Sequence, residues 1–420
     1  MKTNAYPKYK PSGVEWLGDV PEHWEVTSLK FICRFAYGDS LASENREDGD
    51  YLVFGSNGPV GNHKLPNTTR PVIVVGRKGS YGKINYSDNP IFAIDTTYFI
   101  DSRYTTQSIQ WLKFSLLTLC LDIGSKDSAV PGLAREDAYE KKLPLPPLPE
   151  QQAIAAFLDR ETGHIDALIA KKKKLLSLLA EQRTALISRA VTKGLNPSVK
   201  LKPAGVEWLG DVPEHWVTPP LKRIVAIPVT DGPHETPEIL DEGIPFVSAE
   251  AIRFNKIDFS RKRGFISESE HRRFCLKYHP KRNDIYMIKS GATTGNLAIV
   301  ETDEEFSIWS PLAVIRVHKK KADARFVLAA MNSKEFQTSV QLFWSFGTQQ
   351  NIGMNVIENL PVPLPPVLEQ QAIAAFLDHE TAKIDTLSAK VLTAIERLKE
   401  YRTALISAAV TGKIDVREAV

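Results

Sequence analysis

Two stretches of this chain occur twice, and the material between them occurs once. Residues 10–24 read KPSGVEWLGDVPEHW and residues 202–216 read KPAGVEWLGDVPEHW, with a single difference. The segment EQQAIAAFLD at residues 150–159 returns letter for letter at 369–378. Duplicated sequence dictates two structurally equivalent halves. Two unlike inserts held in one repeated frame point to two different recognition tasks, not to a single pocket.

A chain of 420 residues has room for two or three domains, and 43% hydrophobic with 25% charged residues excludes wholesale disorder. Cys33, Cys120 and Cys275 form no CxxC pair, which argues against a disulfide framework or a zinc cluster. A reducing cytoplasm is the compartment expected for such usage. Residues 1–13 lack the apolar core of a signal peptide. No run reaches the roughly 20 apolar residues of a membrane span. The net charge is only +3, so an argument for nucleic acid has to rest on local clusters.

Each copy of EQQAIAAFLD follows a proline-rich lead, LPLPPLPE at residues 143–150 and LPVPLPPVLE at 360–369. Proline runs favour extended geometry, so each lead reads as a stiff strut ending where a helix starts, with Glu150 or Glu369 near its positive end. Ile373, Leu377, Ile384, Leu387, Val391, Ala394, Leu398, Tyr401 and Leu405 follow at alternating spacings of three and four, broken by Glu380. The first copy offers Ile154, Leu158, Ile165, Leu168, Leu175, Leu179 and Leu186, interrupted by Glu161, Lys172 and Gln182. Such seams predict two helices of about 40 residues, roughly 60 Å each, pairing as an antiparallel coiled coil. The other reading is two core helices of a larger globular domain.

The inserts read mostly as β-structure. Residues 71–76, 91–100 and 309–317 are β-branched and aromatic runs bounded by turn formers, and short helices are expected at 106–121 and 324–343.

Signs of catalysis are scarce. No GxGxxG follows a strand, GRKGSYGK at residues 76–83 lacks Walker A spacing, HExxH is absent, and Asp88-Asn89-Pro90 is followed by Ile91. The glycine loops suit another task. Arg77, Lys78, Ser80, Tyr81 and Lys83 follow the strand VIVV, and Lys289, Ser290, Thr293, Thr294 and Asn296 follow DIYMI. Slim backbone lets a polyanion approach, while these side chains can meet phosphates or base edges. A tight hairpin with incidental polarity is the alternative for each. Residues 253–282 hold ten Lys or Arg, including Arg261 and Arg263, against three acids. That run is either a backbone-tracking patch or a solvated face. Polar loops at 124–133 and 346–354 precede the proline leads. Gln349, Gln350 and Asn351 can pair with adenine, or the loops can lock the insert to the frame. The tryptophans of the repeated blocks, Trp16, Trp24, Trp208 and Trp216, read as packing, because a reader belongs in the part that differs.

Taken in this order, the GVEWLGDVPEHW openings, the LPLPPLPEQQAIAAFLD and LPPVLEQQAIAAFLD helix starts, and the IWSPLAVIR and FGTQQNIGMN stretches resemble the specificity subunit of a type I restriction–modification system. The resemblance implies an α+β chain with two target-recognition domains of mixed α/β structure, joined by two long helices in an antiparallel coiled coil with a pseudo-twofold internal repeat. Its expected parts are a first recognition domain at 1–149, a long helix at 150–192, a linker with the second recognition domain at 193–368, a second long helix at 369–411 and a tail at 412–420. Each domain would read one half of a bipartite asymmetric site in double-stranded DNA, and the helices would set the gap. Such a chain is not catalytic and binds no cofactor or metal. Its expected partners are two methyltransferase (modification) subunits using S-adenosylmethionine, and restriction/translocase subunits using ATP and Mg²⁺, with no membrane. Two other classes stay open on the residues alone: an autonomous methyltransferase or nuclease on a duplicated frame, and a coiled-coil assembly protein with no nucleic-acid role.

Overall fold

The computed structural model describes residues 5–123, 131–346 and 350–418. It divides into two compact units, Met1–Lys173 with Leu392–Val420, and Lys174–Val391. Two long helices, Leu148–Lys193 and Val367–Val410, each contribute one part to each unit. Both begin two residues before the glutamate at which the sequence predicts a start. Pro149 is accommodated in the first turn, where a missing N–H leaves no helical hydrogen bond unmade.

In the first unit the start of one long helix lies beside the end of the other. Trp24 Nε1 donates to Glu150 at 2.9 Å, while Gly412 sits so close that a Cβ there would be 3.0 Å from the same indole. In the second unit Trp216 Nε1 donates to Glu369 at 3.1 Å, and a Cβ on Gly194 would be 3.3 Å from the Trp216 ring. Both glycines have φ of +73°, the left-handed geometry that ends a helix. The two helices therefore run antiparallel within each unit, with Arg402 to Asp166 at 3.0 Å in the first and Arg183 to Asp385 at 3.4 Å in the second.

The seam differs in detail from the one read off the leucines. Leu158, Thr162, Ile165, Ile169 and Leu179 are buried, whereas Leu168 and Leu175 are exposed. On the other helix Ile384, Val391, Ile395 and Leu405 are buried, and Leu387 and Tyr401 are exposed. Spacing alone admits either neighbour of a polar seam position such as Thr162. Once Thr162 and the stem of Arg183 join the seam, every second position moves by one residue, while Leu158, Ile165, Lys172 and Leu179 keep the places read from the sequence.

The variable segments share one plan. A four-stranded antiparallel sheet has the order Ala36–Tyr37, Thr97–Ile100, Val72–Gly76, Ile84–Ser87 in the first unit. In the second the order is Thr230–Asp231, Leu312–Ile315, Ile285–Ile288, Leu297–Ile299. Beside it lies a three-stranded sheet, in which Tyr51–Gly55 pairs antiparallel with Gly58–His63 and parallel with Phe92–Ala93. Its counterpart sets Ile244–Val247 between Gly264–Ile266 and Ser307–Ile308. The run at 91–100 is thus two strands in two sheets, parted at Asp95 and Thr96, and the run at 309–317 gives the strand Leu312–Ile315 only after a break at Ser310 and Pro311. The helix expected at 106–121 forms only at Ile109–Leu117. The one expected at 324–343 is two helices, Ala324–Met331 and Lys334–Phe343, because Ser333 accepts the Phe336 N–H and caps the second.

The repeated EQQAIAAFLD joins insert to frame. Gln151 Oε1 accepts the N–H of Ser108, the cap of the helix Ile109–Leu117, and Gln370 Oε1 accepts that of Asp323, the cap of Ala324–Met331. Asp159 then pairs with Lys113 at 2.8 Å, and Asp378 with Arg325 at 2.7 Å. Trp24 and Trp216 are fully buried, as packing demands, while Trp16 is half exposed.

Candidate nucleic-acid interface

In both units the glycine loop is held by the polar loop that precedes the proline lead. In the first, Gly79 N–H donates to the Pro131 carbonyl at 3.2 Å and Leu133 N–H to the Arg77 carbonyl at 2.8 Å. In the second, Gly291 N–H donates to the Gln350 carbonyl at 3.0 Å and Ile352 N–H to the Lys289 carbonyl at 2.9 Å. Lys78 thus stands opposite Gly132, and Ser290 opposite Asn351. Two loops that the sequence separates by about 50 residues form one composite surface, twice.

The side chains on that surface divide into anchors and exposed groups. Arg77 donates to the Asp95 carbonyl at 2.8 Å, and its guanidinium lies 5.0 Å from the centre of the Tyr37 ring. Lys83 donates to Asn57 Oδ1 at 2.7 Å. Tyr81 is half-buried and lines a cavity of about 370 Å³ with Leu121 and Leu133. Lys78 and Ser80 are exposed. In the second loop Lys289 turns inward, 3.1 Å from the buried Asp231 carboxylate, which also accepts from Lys277 at 2.5 Å. Burial alone would raise the Asp231 carboxyl, but hydrogen bonds from Lys277 and Lys289 outweigh it and hold the group below its ordinary value. Strand register makes Asp231 the counterpart of Tyr37 and Lys289 that of Arg77. One cation is therefore anchored at the root of each glycine loop, on an aromatic face in one unit and on a carboxylate in the other. Thr294 donates to the Gly291 carbonyl at 2.7 Å and shapes the turn, leaving Thr293 and Asn296 exposed. Gln350 and Asn351 form the strand that meets Ser345–Phe346, and Gln349 and residues 124–130 lie outside the described residues.

The basic run at 253–282 folds into ion pairs, several with acids from elsewhere in the chain. Arg273 meets Glu235 at 2.9 Å, Arg282 meets Asp303 at 2.6 Å and Lys256 meets Glu301 at 3.3 Å. Arg263 stacks 4.1 Å from the Trp309 ring centre, and Arg261 lies 3.4 Å from Asp258. The excess that the linear sequence shows is thus moderated on the folded surface, since Glu235, Glu301 and Asp303 are close in space and distant in sequence.

Arg261 also borders a groove of about 890 Å³ together with Ser290, Thr293 and Asn296. Four residues chosen from sequence therefore share one concavity. Sequence reasoning missed Phe254, Asn332 and Gln337, which line the same groove. The pattern Ile252-Arg253-Phe254-Asn255-Lys256-Ile257 carried a hairpin signal in Asn255. Nothing local marks Asn332 or Gln337, which arrive on the helical segment.

The model of the type I restriction modification DNA specificity domain matches residues 21–177 and again 213–397, one match on each copy of the frame. The chain belongs to this family. A specificity chain of this class is a DNA sequence-specificity subunit, and its role is selection of sequence rather than catalysis. It is 24% identical to the type I restriction enzyme MjaVIII specificity subunit of Methanocaldococcus jannaschii over 95% of this chain and 94% of that one. To the EcoBI specificity subunit of Escherichia coli it is 22% identical over 96% and 88%. A solved chain of a type I R-M system superposes with a TM-score of 0.68 at 14% identity, covering 93% of this chain and 98% of that one, so the fold is shared. No described helix of this specificity chain is long and apolar enough to cross a membrane.

Proposed function

We propose that each unit reads one half of a bipartite, asymmetric site in double-stranded DNA, through the surface built from its glycine loop and the loop bound to it. The carrying observation is the pair of backbone hydrogen bonds that recurs in both units while the side chains displayed differ. Lys78 and Ser80 occupy one surface; Ser290, Thr293 and Asn296 occupy the other. Arg77 and Lys289 act from beneath as anchors, with Arg261 and Arg263 tracking the backbone beside the second surface. The long helices set the spacing between half-sites and dock two modification subunits, which carry methyl transfer from S-adenosylmethionine, and restriction subunits, which use ATP and Mg²⁺. On this reading the chain itself binds no cofactor.

The test is the methylated motif of a host expressing the full system. Changing Lys78 and Ser80 together to Ala alters the bases accepted in one half of the motif, and changing Thr293 and Asn296 alters the other. A double variant that leaves its half unchanged, or shifts both halves alike, removes that loop from the reading surface.

A further inference from the structure

The strands Ile252–Arg253 and Lys256–Ile257 form a hairpin whose two turn residues are Phe254 and Asn255. Both have positive φ, 50° and 63°, the geometry of a turn that ordinarily takes asparagine or glycine. Phenylalanine is ill suited to it, and the ring gains no packing in return, being 94% exposed. The hairpin is nevertheless fixed. Ile299 N–H donates to the Asn255 carbonyl at 3.0 Å, which ties the tip to the edge of the four-stranded sheet. A strained, braced and fully displayed aromatic ring therefore stands at the wall of the groove that holds Arg261, Thr293 and Asn296.

From this arrangement we propose that Phe254 is a wedge that inserts between adjacent base pairs of the DNA half-site bound by the second unit, unstacking and kinking that step. The inference rests on the DNA reading given above and deepens it. Charge selects the occupant. Arg253 precedes the ring in sequence, and Arg253 and Arg261 both line the same groove, so phosphates beside an opened step meet cations while the ring meets base faces. Among its described residues the first unit has no counterpart. There the chain turns back directly at Ser56 and Asn57, between Gly55 and Gly58, without an aromatic. The deformation belongs to one half-site only.

The experiment uses the full chain assembled with its modification subunits and duplexes carrying the motif read from the host genome. 2-Aminopurine, which brightens on unstacking, is placed at each position in turn. Modification subunits extrude the bases they methylate, so the expected result is one further brightened step, away from the methylated bases and confined to one half-site. Phe254→Ala abolishes it and weakens duplex binding about tenfold, the effect of one lost base–aromatic stack, whereas Phe254→Trp retains it. Arg261→Ala weakens binding but leaves the brightening at saturation intact. Sequence-selective binding with no brightened step beyond the methylated bases overturns the wedge and leaves the DNA reading standing, as does a further brightened step that survives Phe254→Ala. Failure of the wild-type complex to bind any duplex overturns both.

Discussion

Trp24 donates its indole N–H to the Glu150 carboxylate at 2.9 Å, joining residues 126 apart in the chain. Tyr6 at 3.2 Å and His23 at 2.6 Å meet the same carboxylate, whose side chain is only 12% exposed. A buried carboxylate stripped of such partners, or partners stripped of the carboxylate, bears a full desolvation penalty. Glu150→Ala therefore lowers stability by about 3 kcal/mol, and Trp24→Phe, which removes one charge-assisted hydrogen bond, by about 2 kcal/mol. Glu369 has two such partners, His215 and Trp216, and a side chain 33% exposed. Its replacement by Ala costs less, about 1–2 kcal/mol. Urea unfolding of the full chain followed by tryptophan fluorescence checks the order of these effects.

Asp231 is buried at the root of the second glycine loop with Lys277 and Lys289 upon it. Asp231→Asn leaves those ammonium groups without their counter-charge and destabilises the second unit by about 3 kcal/mol at neutral pH. The sign with pH follows from the carboxyl being held below its ordinary value, 3.8. Its contribution is complete above that value and is lost as pH falls through the lower folded one. The stability gap between wild type and Asp231→Asn therefore narrows as the pH is taken below about 4. Urea midpoints of both proteins across that range measure it, and a gap that widens on acidification contradicts the assignment.

The positive φ at Phe254 carries a prediction for stability that is separate from DNA. Asn tolerates this region at lower cost than a ring-bearing residue, and the 94% exposed ring has little packing to lose. Phe254→Asn raises stability by about 1 kcal/mol. A substitution that strengthens the fold while weakening duplex binding separates the needs of the fold from those of recognition. A drop in melting temperature would show that the ring supports the hairpin after all.

Much of this architecture was legible because it is written twice. The EQQAIAAFLD repeat marked where each long helix starts, and the Gln151 and Gln370 contacts show that it also joins insert to frame. The glycine loops were visible because small residues interrupt strong β-runs. What stayed hidden depended on contacts between distant residues. Nothing local says that residues 289–291 will meet 350–352, since the pairing is set by the sheet and the helices that bring those segments together. The acids that moderate the basic run, Glu235, Glu301 and Asp303, are distant in sequence from most of their partners. The run at 91–100 read as one strand because hydrophobicity continues across a turn that changes sheets. Leu168 and Leu387 misled because each competes with the residue that follows it, the buried Ile169 and the half-buried Ser388, and only the partner helix decides between them.

That competition is itself testable on the long helices. Ile169 and Ile395 are buried, while Leu387 and Tyr401 are 43% and 57% exposed. Replacing a buried isoleucine by glutamine removes its apolar burial and places an amide in the seam, so Ile169→Gln and Ile395→Gln each cost about 2–4 kcal/mol. Leu168→Gln, Leu387→Gln and Tyr401→Gln change stability by less than about 0.5 kcal/mol, the usual range for surface positions. If these exposed residues dock modification subunits, the same three variants lower co-purification of those subunits while their melting curves stay at the wild-type position. Equal destabilisation by Leu168→Gln and Ile169→Gln would return the seam to the phase read from the leucines. The structure keeps Leu158, Ile165, Lys172 and Leu179 in that seam and replaces the alternate positions by their neighbours, Thr162, Ile169 and Arg183.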